Sequence, residues 1–108
     1  MDKAQLIAQA ERAPYGLFPW SQFVAHTEFL WQDTVLVVDA AAWQRQWFEL
    51  EIINGLALAE WEEQGRPEDF SARWREGYQQ EALELVNDLL GLTAEIGMLP
   101  SLSRPPCR

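Results

Sequence analysis

Residues 39–63, DAAAWQRQWFELEIINGLALAEWEE, decide the fold that the sequence predicts. Beginning at Leu36, side chains that can form a core recur at alternating steps of four and three, which is typical of one stripe along an amphipathic helix. The stripe has a single polar break, at Asn54, and it consists of Leu36, Ala40, Trp43, Trp47, Leu50, Asn54, Ala57 and Trp61. We expect one helix over residues 39–63, with Trp43 as a core anchor near its start.

The ends of this helix carry recognisable signals. Asp33 or Asp39 can cap its start by accepting a hydrogen bond from a free backbone N–H. Gly65 suits the left-handed position that follows a helix. Trp47 and Phe48 are neighbours in sequence, so they cannot both face the core of the same helix. We expect one of the two to be incompletely buried.

A second helix is predicted over residues 67–96. Pro67 fits a first helical turn, where its missing N–H costs nothing, and Gly97 and Pro100 end the pattern. A connection of about four residues implies that the two helices form an antiparallel hairpin. The apolar stripe of this second helix is Phe70, Trp74, Tyr78, Ala82, Leu85, Leu89, Leu92 and Ile96.

The first helix is long for so small a protein. Twenty-four residues extend about 36 Å, whereas a compact chain of this length has a radius of gyration of about 13 Å. Either the helix bends at Asn54 and Gly55, or the molecule is elongated. An elongated hairpin leaves part of an apolar face for a partner.

The secondary structure of the N-terminal part is less clearly predicted by its sequence. Residues 2–12 fit a short helix, whereas residues 19–38 fit either a helix or a β-hairpin turning at Gln32 and Asp33, and the helix is favoured because that turn lacks Gly. The predicted fold is therefore a mainly α single domain over residues 1–100, built on a helical hairpin, with a possible short N-terminal β-hairpin and a flexible tail over 101–108.

Composition excludes several classes of protein. The chain has 17 acidic and 8 basic residues and a formal net charge of −9, which argues against nucleic acid as a partner. No apolar stretch approaches the length of a membrane span, so no membrane partner is expected. The N-terminus lacks the pattern of a secretory signal, which indicates the cytoplasm. A single cysteine, Cys107, excludes a disulfide framework.

The residue inventory also argues against catalysis. His26 is the only histidine, too few for a zinc or di-iron site and more typical of a packed side chain. No Gly-rich phosphate loop and no Gly-x-Ser-x-Gly elbow is present. We therefore expect no enzyme activity, no catalytic residue, no metal and no cofactor.

The connection between the two predicted helices is strongly acidic around one tryptophan. Such a charged end could steer a basic partner protein towards the chain and present an aromatic anchor to it. An ordinary solvated turn with capping acids is the alternative interpretation. The residues that we predict to bind a partner are Glu60, Trp61, Glu62, Glu63, Glu68 and Asp69.

Two stretches resemble the nitrile hydratase accessory (activator) proteins and the N-terminal helices of their β-subunits. They are WQRQWFEL at residues 43–50, and ALELV at 82–86 with LGL at 90–92. The resemblance covers about twenty residues and implies a cytoplasmic, non-catalytic helper that docks on a metalloenzyme subunit. It carries no metal-binding residue over to this chain.

These observations favour a non-catalytic protein that acts by binding another protein. An inhibitor or immunity-type protein directed against a basic target is the leading hypothesis, because complementary charge speeds association. An accessory or assembly subunit of a metalloenzyme, and an inhibitor that mimics DNA, are alternatives. A homodimer is also compatible with the sequence.

Overall fold

The computed structural model describes residues 2–93, and its regular structure is helical. Two short 3-10 turns, Ala13–Tyr15 and Leu30–Gln32, complete it. Within the described residues the β-structure is limited to an isolated antiparallel bridge between Val37 and Thr93. The mainly α prediction is therefore confirmed. The five helices are α1 (Lys3–Arg12), α2 (Leu17–Thr27), α3 (Ala40–Glu63), α4 (Ser71–Gly77) and α5 (Gln79–Leu90).

The first forty residues form α1, α2 and turns. Asp2 caps α1 in a reciprocal arrangement with Gln5, which satisfies two free backbone N–H groups. The alternative β-hairpin over residues 19–38 does not form, because α2 and the second 3-10 turn occupy that segment. The helix forms instead because its spacing places a continuous stripe against the core. The apolar members Trp20, Phe23, Val24 and Leu30 are buried, and the Thr27 hydroxyl, also buried, donates to the Phe23 carbonyl.

Helix α3 follows the sequence pattern closely. Asp39 caps its start by accepting a hydrogen bond from the Ala42 N–H at 3.1 Å. The helix runs unbroken through Asn54 and Gly55 to Glu63. Within its stripe, Trp43, Leu50 and Ala57 are fully buried, as predicted for a core seam.

Helix α3 packs between α2 and α5, which both run antiparallel to it. On the α2 side, the indole N–H of Trp20 donates to the Leu50 carbonyl and that of Trp47 donates to the Val24 carbonyl. Asn54, the polar break in the stripe, accepts a hydrogen bond from Ser21 of α2. These contacts fix α2 against α3. The described residues leave a further face of α3 uncovered, on which Phe48, Ile52 and Leu56 are exposed.

The predicted helix over residues 67–96 is wrong in its bounds. Pro67 lies in a loop, the helical structure begins at Ser71, and it breaks at Tyr78 into α4 and α5. The loop is longer than expected because Asp69 accepts from the backbone N–H and hydroxyl of Ser71 and thus fixes a local turn. The break follows Gly77, where helix propensity is lowest apart from proline.

Helix α5 ends at Leu90, before the predicted end. The expected last turn at residues 94–96, the tail over 101–108 and Cys107 lie outside the described residues. The molecule is elongated, with extents of 45 × 28 × 21 Å and a radius of gyration of 14.6 Å. Elongation, rather than a break in α3, therefore accommodates the long helix. None of the described helices is both long and apolar enough to cross a membrane.

Candidate functional site

The end of the helical hairpin, residues 60–71, contains all six residues that the sequence predicts to bind a partner. Glu60 points inward, where its carboxylate pairs with the Arg73 guanidinium and accepts a hydrogen bond from the Tyr78 hydroxyl. These bonds, that of Arg73 first, lower the pKa of Glu60. Burial, and then the bond to Glu60, raises the pKa of Tyr78. Glu60 thus joins α3 to the α4–α5 break.

Trp61 closes the turn that ends α3. The Gly65 N–H donates to the Glu62 carbonyl and the Arg66 N–H donates to the Trp61 carbonyl, which is the bonding pattern of a Schellman motif. Gly65 has φ 86°, so the predicted left-handed glycine is confirmed. The indole N–H of Trp61 donates to the Pro67 carbonyl at 2.9 Å, and Arg66 lies over its ring. The polar group of Trp61 is therefore used within the chain.

Four acids of the hairpin end, Glu62, Glu63, Glu68 and Asp69, are exposed to solvent. Glu62 pairs with Arg66 at 3.5 Å, and both side chains are more than half exposed. Such an exposed pair contributes little to folding stability. These carboxylates consequently remain accessible to a partner.

Asp69 and Glu68 line a narrow cleft on the α2 side of the hairpin end. The cleft has a volume of about 170 Å³, and its apolar wall includes Phe18 and Pro19 at the start of α2. Phe18 is 48% exposed and meets the Trp61 ring edge to face. Hydrogen bonds from the Ser71 hydroxyl, and then from its backbone N–H, lower the pKa of Asp69, so this carboxylate is charged at neutral pH.

Sequence reasoning did not identify Phe18 or Pro19 as part of this site. They lie about fifty residues before the acids that they approach, and nothing in the local pattern links the start of α2 to the α3–α4 loop. The only signal was the position of Phe18, which falls outside the buried stripe of α2. A contact between distant segments was needed to reveal the cleft.

A second candidate surface lies on the outer face of α3, the side turned away from α2 and α5. Phe48, Ile52 and Leu56 follow one another at single-turn spacing along it and are all exposed. At its N-terminal end the face opens into an apolar groove of about 610 Å³. The groove is lined by Glu28, Phe29, Trp31, Ala41, Gln44, Arg45, Trp47 and Phe48.

The groups that carry catalysis elsewhere are scattered. The His26 ring nitrogen Nδ1 contacts the Gln9 amide oxygen at 3.1 Å on an exposed surface. Among residues 2–93, no three His, Cys, Asp or Glu side chains are placed to hold a metal ion together. No family model, curated protein or solved structure matches the chain. The hairpin end and the outer face of α3 are therefore the two candidate functional surfaces.

Proposed function

We propose that this chain is a non-catalytic, cytoplasmic protein that binds a partner protein through a basic surface of that partner. The hairpin end is the binding surface. The observation that carries the proposal is the cleft in which Phe18 and Pro19 face Glu68 and Asp69. Because the cleft joins an apolar wall to two carboxylates, it offers more than a solvated acidic turn.

This combination suits a lysine or arginine side chain of the partner. Both side chains have an apolar stem that packs on hydrophobic surface while the charged head stays in a polar environment. The stem would lie along Phe18 and Pro19, and the head would meet Glu68 and Asp69. Hydrogen bonds between a cationic donor and a carboxylate are about twice as strong as neutral ones. The cleft should therefore prefer lysine and arginine over uncharged side chains.

The remaining acids act at longer range. Glu62 and Glu63 extend the negative surface on the other side of the turn, and the chain as a whole carries a formal charge of −9. Complementary fields of this kind raise the rate of encounter more than the final affinity. A basic target of an inhibitor or immunity-type protein presents the matching charge, and so we favour that role.

The cleft is tested with a short lysine peptide as the probe. We expect Glu68→Lys to lower the affinity of the peptide by about tenfold or more, because a carboxylate of the cleft becomes a repelling cation. Glu81→Lys is the matched control, since it makes the same change of net charge at an exposed position of α5. Calorimetry gives both affinities, and NMR shifts should map to residues 16–19 and 68–71. Equal losses for the two variants would contradict the proposed cleft.

The long-range role of the other acids is tested by rate. The double variant Glu62→Lys, Glu63→Lys should slow association with an immobilised lysine peptide and flatten its dependence on salt. Folding should change by no more than about 0.5 kcal/mol, as is usual for surface positions. A double variant on other helices, Glu11→Lys with Glu81→Lys, controls for net charge. An unchanged association rate at low salt would show that these two acids are only part of a solvent-exposed turn.

A further inference from the structure

We propose that the outer face of α3 pairs with the same face of a second copy of this chain, in an antiparallel homodimer with two-fold symmetry. The face is apolar along its centre. Phe48 is 57% exposed, Ile52 41% and Leu56 57%. Isolated apolar side chains are common on surfaces, whereas a contiguous apolar patch with a polar rim marks an interaction site.

The sequence of the face is complementary to itself when reversed. If Ile52 lies on the two-fold axis, Phe48 of one copy lies opposite the second copy's Leu56. The apolar groove of about 610 Å³ beside Phe48 then receives the C-terminal half of the second copy's α3. A two-fold interface requires this kind of match, because the same patch must serve both partners.

The charges that border the face follow the same reversal. Among the described residues, Arg45 is the only cation lining the groove. In this arrangement it lies opposite the second copy's Ala59, one helical turn from Glu62 and Glu63 of that copy. Glu49 falls opposite the second copy's Gly55 and meets no charge there. Glu28 also lines the groove, and this pairing leaves its carboxylate close to the incoming acidic end.

Gly55 allows the two helices to approach closely. A Cβ atom built on Gly55 would lie in open space. Packing within the folded monomer therefore does not require a glycine at this position. It lies on the outer face between Ile52 and Ala59, where its missing side chain leaves room for a facing helix. The antiparallel arrangement also sets the helix dipoles in the favourable opposed orientation.

The association itself is tested by analytical ultracentrifugation of the full chain at physiological ionic strength. We expect a monomer–dimer equilibrium for the wild type. Ile52→Glu should raise the dimer dissociation constant by at least about a hundredfold, because two carboxylates would meet at the axis. Ile7→Glu is the matched control, since Ile7 is 37% exposed on α1. A monomeric wild type, or equal loss of dimer in both variants, would overturn the proposal.

The charge pattern gives a second test that a general apolar patch would fail. Arg45→Glu should raise the dissociation constant by about tenfold or more, and combining it with Glu62→Arg and Glu63→Arg should restore the wild-type value. Circular dichroism checks that each variant retains its helical content. Absence of rescue would reject the antiparallel arrangement.

The register is tested by cysteine cross-linking in a Cys107→Ser background with a copper oxidant. Ile52→Cys should form a disulfide with itself across the axis. Phe48→Cys alone should not form a disulfide with itself. The two copies of residue 48 would be separated by about 12 Å along the direction of the helices, and disulfides require Cα atoms within about 7 Å. Phe48→Cys mixed with Leu56→Cys should form the heterodimer. Efficient self-linking at residue 48 would exclude the register.

The homodimer and the binding of a basic partner both involve Glu62 and Glu63, but separate measurements distinguish them. Dimerisation is measured without the lysine peptide, and Ile52→Glu leaves the cleft between Phe18 and Glu68 intact. If the homodimer is absent and Glu68→Lys still weakens peptide binding, only the further inference fails. The reverse outcome leaves the homodimer and removes the proposed function.

Discussion

At the scale of single residues, the tryptophans fasten the helices to one another. Four of the six indoles donate a hydrogen bond to a backbone carbonyl: Trp20, Trp47, Trp61 and Trp74. Trp43 is fully buried, as the sequence predicted, but its indole N–H has no partner in the part of the chain that the structure describes. An unpaired buried donor costs free energy, since it has lost its water without replacement.

This difference predicts unequal effects of removing the indole nitrogen. Trp74→Phe breaks a bond to Pro14 of 2.7 Å and leaves a buried carbonyl unsatisfied, whereas Trp43→Phe removes an unpaired donor. We expect Trp74→Phe to reduce the free energy of unfolding by about 1 kcal/mol more than Trp43→Phe. Trp43→Ala should cost about 3–5 kcal/mol through the cavity that it leaves. Urea denaturation measures all three, and an equal cost for the two Phe variants would contradict this account.

Glu60 makes the stability depend on acid pH. Its pKa is lowered in the folded chain by hydrogen bonds from Arg73 and Tyr78, so the folded state favours the charged carboxylate. The resulting stability is present above the ordinary pKa of a glutamate, and it is lost as the pH falls below that value and through the lowered pKa.

We therefore expect Glu60→Gln to narrow the difference in unfolding free energy between neutral and acid pH. Tyr78→Phe, which removes one of the two donors, should give an intermediate result. The measurement is urea denaturation of each variant at several pH values. A pH dependence in Glu60→Gln as steep as that of the wild type would assign the acid sensitivity to other carboxyl groups.

At the scale of elements, α3 was predictable and the α4–α5 break was not. Local signals determine α3: a cap at Asp39, a stripe whose single polar break is Asn54, and a glycine at position 65. The break follows Gly77, but a single glycine does not by itself predict that a helix ends, and the contact of Tyr78 there is with Glu60, eighteen residues away. A stripe in one sequence carries no information about such a contact, and the stripe itself continues through the break because Trp74, Tyr78 and Ala82 still face the core.

Two glycines in helices, Gly55 and Gly77, should respond differently to substitution by alanine. Gly55 has open space around it, so Gly55→Ala should stabilise the fold by about 0.5–1 kcal/mol through helix propensity. At Gly77 an added Cβ would lie 2.5 Å from Nη1 of Arg73. Gly77→Ala should therefore displace Arg73 from Glu60 and gain less, or destabilise. Thermal melts at low protein concentration compare the stabilities of the two variants. An equal gain in stability would show that Arg73 moves away from Glu60 without a cost in free energy.

At the scale of the whole molecule, the candidate surfaces were only partly predictable. Charge density in the sequence indicated the acidic hairpin end. It could not show that Glu60 turns inward, or that Phe18 joins the acids from a distant helix. For α3, the sequence indicated only that a long helix would leave part of an apolar face exposed. It could not show which face, because that depends on which sides of α3 are covered by α2 and α5.

The net charge predicts that salt acts oppositely on the two proposed associations. Raising the ionic strength from about 0.01 M to 0.15 M shortens the Debye length from about 30 Å to 8 Å. Binding of a lysine peptide should weaken, because attraction is screened. Self-association of two chains with a charge of −9 each should hold or strengthen, because repulsion is screened. Calorimetry and ultracentrifugation over the same salt series test this, and parallel weakening would contradict it.

The indole hydrogen bonds also make the order of assembly observable. Trp47 reports the docking of α2 on α3, and Trp74 reports a junction between segments sixty residues apart. Each indole proton is a separate NMR signal, and its exchange with deuterium reports the opening of one junction at a time. A local hairpin forms faster than a contact between distant segments. Pulse-labelling should therefore protect the Trp61 indole, which closes the hairpin turn, before that of Trp74.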